Sequence, residues 1–464
     1  MLFSSPVFFV FFAFYFLLHL VLPVKYRLYL IICGSTVFYA WWKLDYVWLP
    51  YLLAAIAFFG VKWINGANAG GPRKWRTTLI IVLLFVPLVI FKYSNFLYAD
   101  LIGALRGDQG KLIDLALPLG VSFVTFTLSA YVVDIYKGKF SATTPLLTVL
   151  GYVLFFPHLI AGPILRPVEL IPQLQHPRRS RSLQPTAAIS LFTVGLVKKL
   201  VVADQIAGTV DAVYGHAGLA NAPAALLAIY GFSAQIYCDF SGYTDMAIAL
   251  AMLLGVRLPN NFARPYGAAS IIDFWRHWHM TLSFWLRDYL YIPLGGNNGG
   301  KLYEIRNILI TMTLGGLWHG ANWTFVIWGM LHGLAVSAVH VAKGLGWRWL
   351  GRVPRWVGVL LTFHFVTLAW VFFRAPGLDR AGEMLAAPLI GSWTQSAGYL
   401  TAHVYDLLLL ALFLVLHRFD DHRRIRIAAA RMRPEILWPC LAALWAIAIA
   451  VSQGSSAKFI YFDF

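Results

Sequence analysis

The residue in this chain best suited to chemistry is His319. It stands in the middle of LGGLWHGANWTFVIWGMLHG (Leu314–Gly333), among apolar and aromatic side chains. An ionisable group in such a run is costly unless it is paired or used, so it marks a functional site by default. An imidazole titrates near neutrality and can serve as a general base. Gly315, Gly316 and Gly320 would let a substrate approach the backbone, and Trp318, Trp323 and Trp328 would exclude water. A histidine packed structurally in an apolar helix is the competing reading.

A second histidine raises the odds of chemistry. His279 lies in DFWRHWHMTLSFWLRDYLYIPLGG, within a stretch (Asn260–Gly300) whose charges are interleaved with Trp, Phe and Tyr. On one continuous helix, Arg276, His279 and Ser283 would share a face. The stretch is too polar to cross lipid simply. It reads as an interfacial amphipathic helix or as a helix buried in protein against a polar tunnel, and the spread of charge around it favours burial. A metal is not indicated, since no HxxxH or HxxEH spacing occurs and His277 and His279 are two apart. There is no G-x-S-x-G elbow, P-loop or dinucleotide-binding glycine pattern.

The elements that must position these residues are membrane-like. Of 464 residues, 59% are hydrophobic and 12% charged, and the mean hydropathy is +0.69. A soluble domain carries about 25% charged residues. Runs long enough to span a bilayer occur near Val7–Leu22, Leu28–Trp42, Val47–Ile64, Thr77–Leu97, Thr186–Ala203, Ala222–Leu254, Val357–Phe373, Leu400–Leu416 and Ile436–Val451. Prolines 157, 163 and 167 break Pro145–Pro167, which reads as a kinked or re-entrant element. Asp239 and Asp245 sit inside an otherwise apolar helix. The N-terminal run has no basic n-region and no A-x-A site, so it reads as a retained span. Cys33, Cys238 and Cys440 are too scattered for a disulfide framework.

The net charge of +17 comes in short clusters between apolar runs: Arg73, Lys74 and Arg76; Arg178, Arg179 and Arg181; Arg348, Arg352 and Arg355; and Arg418 to Arg433. That is the positive-inside pattern of cytoplasmic loops, not a nucleic-acid stripe. Such clusters would also suit an anionic, phosphate-bearing thioester.

At this point the residues amount to a resemblance. DFWRHWHMTLSFWLRDYLYIPLGG, followed by GGLWHGANWTFVIWG, resembles the membrane-bound O-acyltransferase family, in particular its bacterial polysaccharide O-acetyltransferase branch of alginate and cellulose type. PLGVSFVTFTLSAYVVDIYKG, FPHLIAGPILRP, YCDFSGYTD and the start MLFSSPVFF extend the likeness over essentially the whole chain. One departure is His277, where the branch usually has arginine. The resemblance implies an all-α polytopic membrane protein, one domain over residues 1–464. It would be a ring of about 11–13 transmembrane helices with re-entrant or horizontal helices around a central funnel. It also implies His319 as the catalytic histidine, His279 as its partner, and a C-terminal aromatic motif (FIYFDF) in which Tyr461 carries the acyl group as a phenyl ester. An interfacial aromatic anchor is the alternative for Tyr461.

The expected function is transfer of acetyl from a cytoplasmic thioester, acetyl-CoA, towards hydroxyls of an exported polysaccharide, with no permanently bound cofactor. His319 would deprotonate the accepting hydroxyl and His279 would orient or polarise the acyl carbonyl. Asp273, Arg276, Trp318 and Asn322 would line or support the substrate site, a placement taken from sequence proximity. The setting would be the bacterial inner membrane, with the lipid bilayer and periplasmic acetyltransferase proteins as partners and no nucleic acid. A D-alanyl transferase fed by a carrier-protein thioester, or a transporter or scaffold of a polysaccharide-modification complex, are the alternatives. The absence of a visible inverted repeat weakens the transporter.

Overall fold

The computed structural model describes the chain except residues 67–70, 100–115, 177–183, 217, 220, 347–352, 395, 454–455 and 463–464, and the side chain of Phe462. Arg178, Arg179, Arg181, Arg348, Arg352, the polar stretch Asp100–Asp114 and the end of the FIYFDF motif fall outside the described residues. All regular structure among the described residues is helical. In lipid this is the expected outcome, because a helix satisfies its own backbone N–H and C=O groups.

Among the described residues, six helices are long and apolar enough to cross a membrane: Leu44–Asn65, Gly71–Leu97, Pro185–Gly215, Trp323–Gly344, Arg355–Arg374 and Pro434–Ser452. A seventh arises if Ser396–Ala402 and Val404–Phe419, bent by 73° at His403, form one span. Pro6–Val21 and Val121–Tyr136 are apolar but shorter. Any larger count of spans, such as the expected 11–13, would have to draw on these and on more polar helices such as Ala222–Leu253. The chain is a multi-pass membrane protein.

The described residues form two compact units, Met1–Ala188 with Ala247–Pro259, and Ile189–Met246 with Asn260–Phe464. In the first, Ser5 caps helix Pro6–Val21 by accepting from the Phe8 N–H at 3.3 Å, with Pro6 opening the first turn. The proline-broken stretch is divided into short helices, Leu146–Leu154, Phe156–Leu159 and Pro167–Gln175, as its prolines predict.

The second unit holds the polar groups singled out in the sequence. Its helices approach unusually closely at glycines. A Cβ on Gly195 would lie 2.6 Å from the Gly242 carbonyl oxygen, and one on Gly242 would lie 2.7 Å from that of Gly195. The helix pair Lys301–His319 and Trp323–Gly344 meets in the same way at Gly316 and Gly329, where a Cβ on Gly316 would lie 2.9 Å from the Gly329 Cα. Small residues at such crossings let backbones touch, the usual membrane solution to packing without a hydrophobic drive. The expectation that the glycines beside His319 admit substrate is thus corrected. Gly316 is filled by the neighbouring helix, Gly320 lies against the Phe325 ring, and Gly315 faces Leu286.

Candidate active site

His319 is the last residue of helix Lys301–His319, which stops because Gly320 is extended (φ −159°, ψ 147°). Asn322 then caps the next helix, its Oδ1 accepting from the Thr324 N–H at 3.0 Å, while its amide donates to the Pro376 carbonyl at 3.1 Å. The turn is therefore fixed on both sides, and His319 is buried within it. Ring centroids of Trp318, Phe373, Trp328 and Tyr461 lie 4.9, 5.2, 5.3 and 5.6 Å from the His319 ring. The Trp318 ring packs edge-on beside that of His319. Asn322 serves the backbone turn.

His279 reaches the same cluster by a break in the chain. The expected continuous helix is absent: helix Ile271–His277 ends, Trp278 is extended, and His279 adopts φ 41°, ψ 55° before helix Met280–Leu286 begins. Arg276 therefore does not share a face with His279. It points into an exposed position. A left-handed conformation at a non-glycine costs about 1–3 kcal/mol and persists only where its surroundings over-determine it. Here the surroundings are the segment 261–263. The Met280 N–H donates to the Asn261 carbonyl at 2.9 Å and the Ala263 N–H to the His277 carbonyl at 3.0 Å. Inside this pairing the fully buried Asn261 Oδ1 accepts from the Thr281 N–H (3.1 Å) and the Thr281 hydroxyl (2.9 Å), and meets His279 Nδ1 at 3.2 Å.

That constellation determines the tautomer. A backbone N–H can only donate, so the atom facing Thr281 is the Asn261 oxygen, and His279 must present Nδ1–H to it. In neutral His279 the lone pair is consequently on Nε2, which is buried and has no hydrogen-bond partner among the described residues. Phe240 lies beside both the His279 and Tyr461 rings, at 4.8 Å and 4.3 Å. Trp318 bridges the histidines, 6.2 Å from His279 and 4.9 Å from His319. His279, His319 and Tyr461 thus belong to one cluster of rings.

The segment just before Tyr461 meets a set of buried charges. After helix Pro185–Val197 the chain runs through a π-helical turn, Lys198–Ala203. Such turns insert a residue and frequently mark functional sites. Lys199 Nζ pairs with Asp204 Oδ1 and Asp239 Oδ1, both at 2.8 Å, and donates to the Lys458 carbonyl at 3.4 Å. Asp239 Oδ2 accepts from the Ile460 N–H at 2.7 Å. Asp204 Oδ2 accepts from the Ser456 hydroxyl at 3.0 Å and the Ala457 N–H at 3.1 Å. Phe459 and Tyr461 stack at 5.6 Å. Lys198, next in sequence, serves a separate network, 2.6 Å from both Asp245 Oδ2 and Asp420 Oδ2. Tyr237 donates to Asp420, and His422 Nε2 meets Asp245 at 2.5 Å.

Asp273 lies away from the ring cluster, in the first turn of its helix. Its N–H bonds to Ser270 Oγ, and its carbonyl and carboxylate face His277 Nδ1 at 2.7 and 3.5 Å. Asp273 and His277 line a cavity of about 610 Å³ together with Arg264, Arg355, His417 and Arg418. Arg264 is also left-handed (φ 55°). Sequence reasoning missed Asn261, Phe240, Lys199 and Asp204. A signal existed for the lysine, since two adjacent lysines stand in an apolar run long enough to span a membrane.

The chain is similar to known proteins over most of its length. The profile of MBOAT, the membrane-bound O-acyltransferase family, matches residues 137–375. The chain is 41% identical over 409 residues to "Probable alginate O-acetylase AlgI" of Azotobacter vinelandii, covering 85% of this chain and 80% of that protein. It is 39% identical to the protein of the same name from Pseudomonas aeruginosa, covering 85% and 76%. It is 36% identical to the peptidoglycan O-acetyltransferase of Helicobacter pylori, covering 83% and 79%. The chain belongs to the membrane-bound O-acyltransferase family and is an O-acyltransferase.

Proposed function

We propose that this enzyme takes acetyl from acetyl-CoA on the cytoplasmic side of a bacterial inner membrane and delivers it, through Tyr461, towards hydroxyls of an exported polysaccharide of alginate type, with periplasmic acetyltransferase proteins completing the transfer. The observation that carries the reading is the Tyr461 ring 5.6 Å from that of His319, in a cluster that also holds His279. The choice of polysaccharide follows the alginate O-acetylases to which the chain is similar.

In the first half-reaction the Tyr461 oxygen attacks the thioester carbonyl. The C–O bond forms, the C–S bond breaks, and the phenolic proton passes through His319 to the departing thiolate. In the second, a sugar hydroxyl attacks the phenyl ester and its proton returns to the tyrosine oxygen. The sum is acetyl-CoA plus alcohol giving ester plus coenzyme A. His319 at a helix C-terminus faces the negative end of the helix dipole, which favours the transient imidazolium. With Nδ1–H engaged by Asn261, neutral His279 offers only a lone pair at Nε2. It therefore accepts a hydrogen bond or a proton, and polarises a carbonyl only as the imidazolium. The aromatic walls restrict water, which would otherwise hydrolyse the ester. The three-arginine cavity offers counter-charge for the donor's phosphates.

The test is mass spectrometry of the C-terminal peptide after incubation with isotope-labelled acetyl-CoA. Labelled acetyl on Tyr461, absent in Tyr461→Phe and reduced about 100-fold or more in His319→Ala, is the expected result. Acetylation of polymer by Tyr461→Phe at full rate removes the relay.

A further inference from the structure

The three buried charges Lys199, Asp204 and Asp239 have no role in the half-reactions above, yet all of them turn towards one short segment of chain. Between them they accept from the Ser456 hydroxyl and the Ala457 and Ile460 N–H groups, and donate to the Lys458 carbonyl. Lys199 and Asp239 are 3% exposed, so their charges have left water entirely. Burying an ion pair costs desolvation, which is recovered only with good geometry and further hydrogen bonds on the remaining lone pairs. The remaining lone pairs of both carboxylates are met by the tail.

We infer that Lys199, Asp204 and Asp239 are positioning residues for acyl transfer: they hold residues 456–460 and thereby set the Tyr461 ring against His319. This deepens the relay reading and rests on it.

The geometry shows how the holding works. Lys199 bridges and orients the two carboxylates at 2.8 Å each, so that each presents its other oxygen to the tail. The contacts to residues 457, 458 and 460 are all to backbone, so the tail is gripped by its peptide groups at both ends of a four-residue stretch. Tyr461 is the next residue, one peptide bond beyond the Asp239 contact. Gly195 and Gly242 permit the grip, because their backbone approach brings the lysine-bearing turn beside the helix that carries Asp239. Lys198 and Lys199, adjacent on the π-helical turn, meet different partners: Lys198 faces Asp245 and Asp420 while Lys199 faces the tail.

The experiment reads the tail and the chemistry separately, on full-length protein in lipid nanodiscs. Amide hydrogen exchange followed by mass spectrometry reports residues 456–461, and kcat and KM for the donor report transfer. Two variants attack the grip from opposite sides. Lys199→Met removes the central charge. Ala457→Pro removes one donated N–H and leaves every helix untouched, which keeps the test decisive if Lys199→Met fails to fold. In either variant, exchange at Ile460 should rise about tenfold or more, the weight of one hydrogen bond to a charged group. kcat should fall by about tenfold or more while KM for the donor stays within about twofold. Unchanged exchange at Ile460 in both variants overturns the inference. Raised exchange with full kcat, together with a fully active Tyr461→Phe, overturns the positioning role and the tyrosine relay together. Full kcat in both variants with an inert Tyr461→Phe overturns the positioning role alone and leaves the relay standing.

Discussion

Asn261→Ala is the most informative perturbation of the site, because one side-chain oxygen there carries several obligations. It accepts from the Thr281 N–H at 3.1 Å, the Thr281 hydroxyl at 2.9 Å and His279 Nδ1 at 3.2 Å. The hydroxyl can rotate to another acceptor. The Thr281 N–H and the imidazole N–H cannot, and each buried donor left unsatisfied costs about 1–3 kcal/mol. The loss is thus about 2–6 kcal/mol, against the ~1–3 kcal/mol of strain that the left-handed His279 backbone holds. The two orphaned donors outweigh that strain, so the segment relaxes and the imidazole moves and loses its fixed tautomer. A displacement of about 1 Å at a reacting group costs roughly 100-fold in rate. Acetyl transfer by Asn261→Ala should fall by that factor, with insertion and helix content unchanged, whereas Asn261→Asp keeps an acceptor oxygen and should stay within about tenfold. The assay is steady-state transfer of labelled acetyl, normalised to folded protein by size-exclusion in detergent. An Asn261→Ala enzyme with more than a tenth of the normal kcat would refute the argument.

Three further variants probe the scaffold and the donor. Gly316→Ala places a methyl group against the Phe325 carbonyl and the Gly329 backbone, an overpacking cost of about 1–3 kcal/mol that should lower the thermal midpoint in detergent. Gly208→Ala, with nothing within 4 Å, should leave it unchanged. Replacing Arg264 and Arg418 by Gln should raise KM for acetyl-CoA about tenfold or more and leave S-acetylpantetheine, which has no phosphates, unaffected. Equal use of both donors by the unaltered enzyme would show that the cavity does not read phosphate.

Much of this site is legible in the sequence for physical reasons. His319 announces itself because an imidazole in an apolar run needs a purpose, and Asp239 and Asp245 do so because carboxylates in a greasy helix need partners. Asn322 has the residue type of a helix cap and is one. The partners themselves are hidden. Lys199 and Asp239 are separated by 40 positions and the tail lies 221 residues beyond Asp239, and no periodicity encodes a pairing over such separations. The shared face expected of Arg276 and His279 fails for a related reason. Helical spacing assumes an unbroken helix, and the pairing of residues 261–263 with 277–280 overrides it by supplying other hydrogen bonds. The glycines beside His319 were visible, but their use was not. Whether a glycine admits a ligand or a neighbouring helix depends on what lies opposite, here Gly329 and Phe325.

The contact of Gly316 with Gly329 also bears on motion. Where the two helices touch backbone to backbone there is no side chain at the crossing to rearrange, so the crossing is stiff, and His319, three residues on from Gly316, is held with it. In the proposed relay His319 is then the fixed partner, and movement that exchanges one donor for the next falls to parts held by replaceable hydrogen bonds, above all the segment that carries Tyr461.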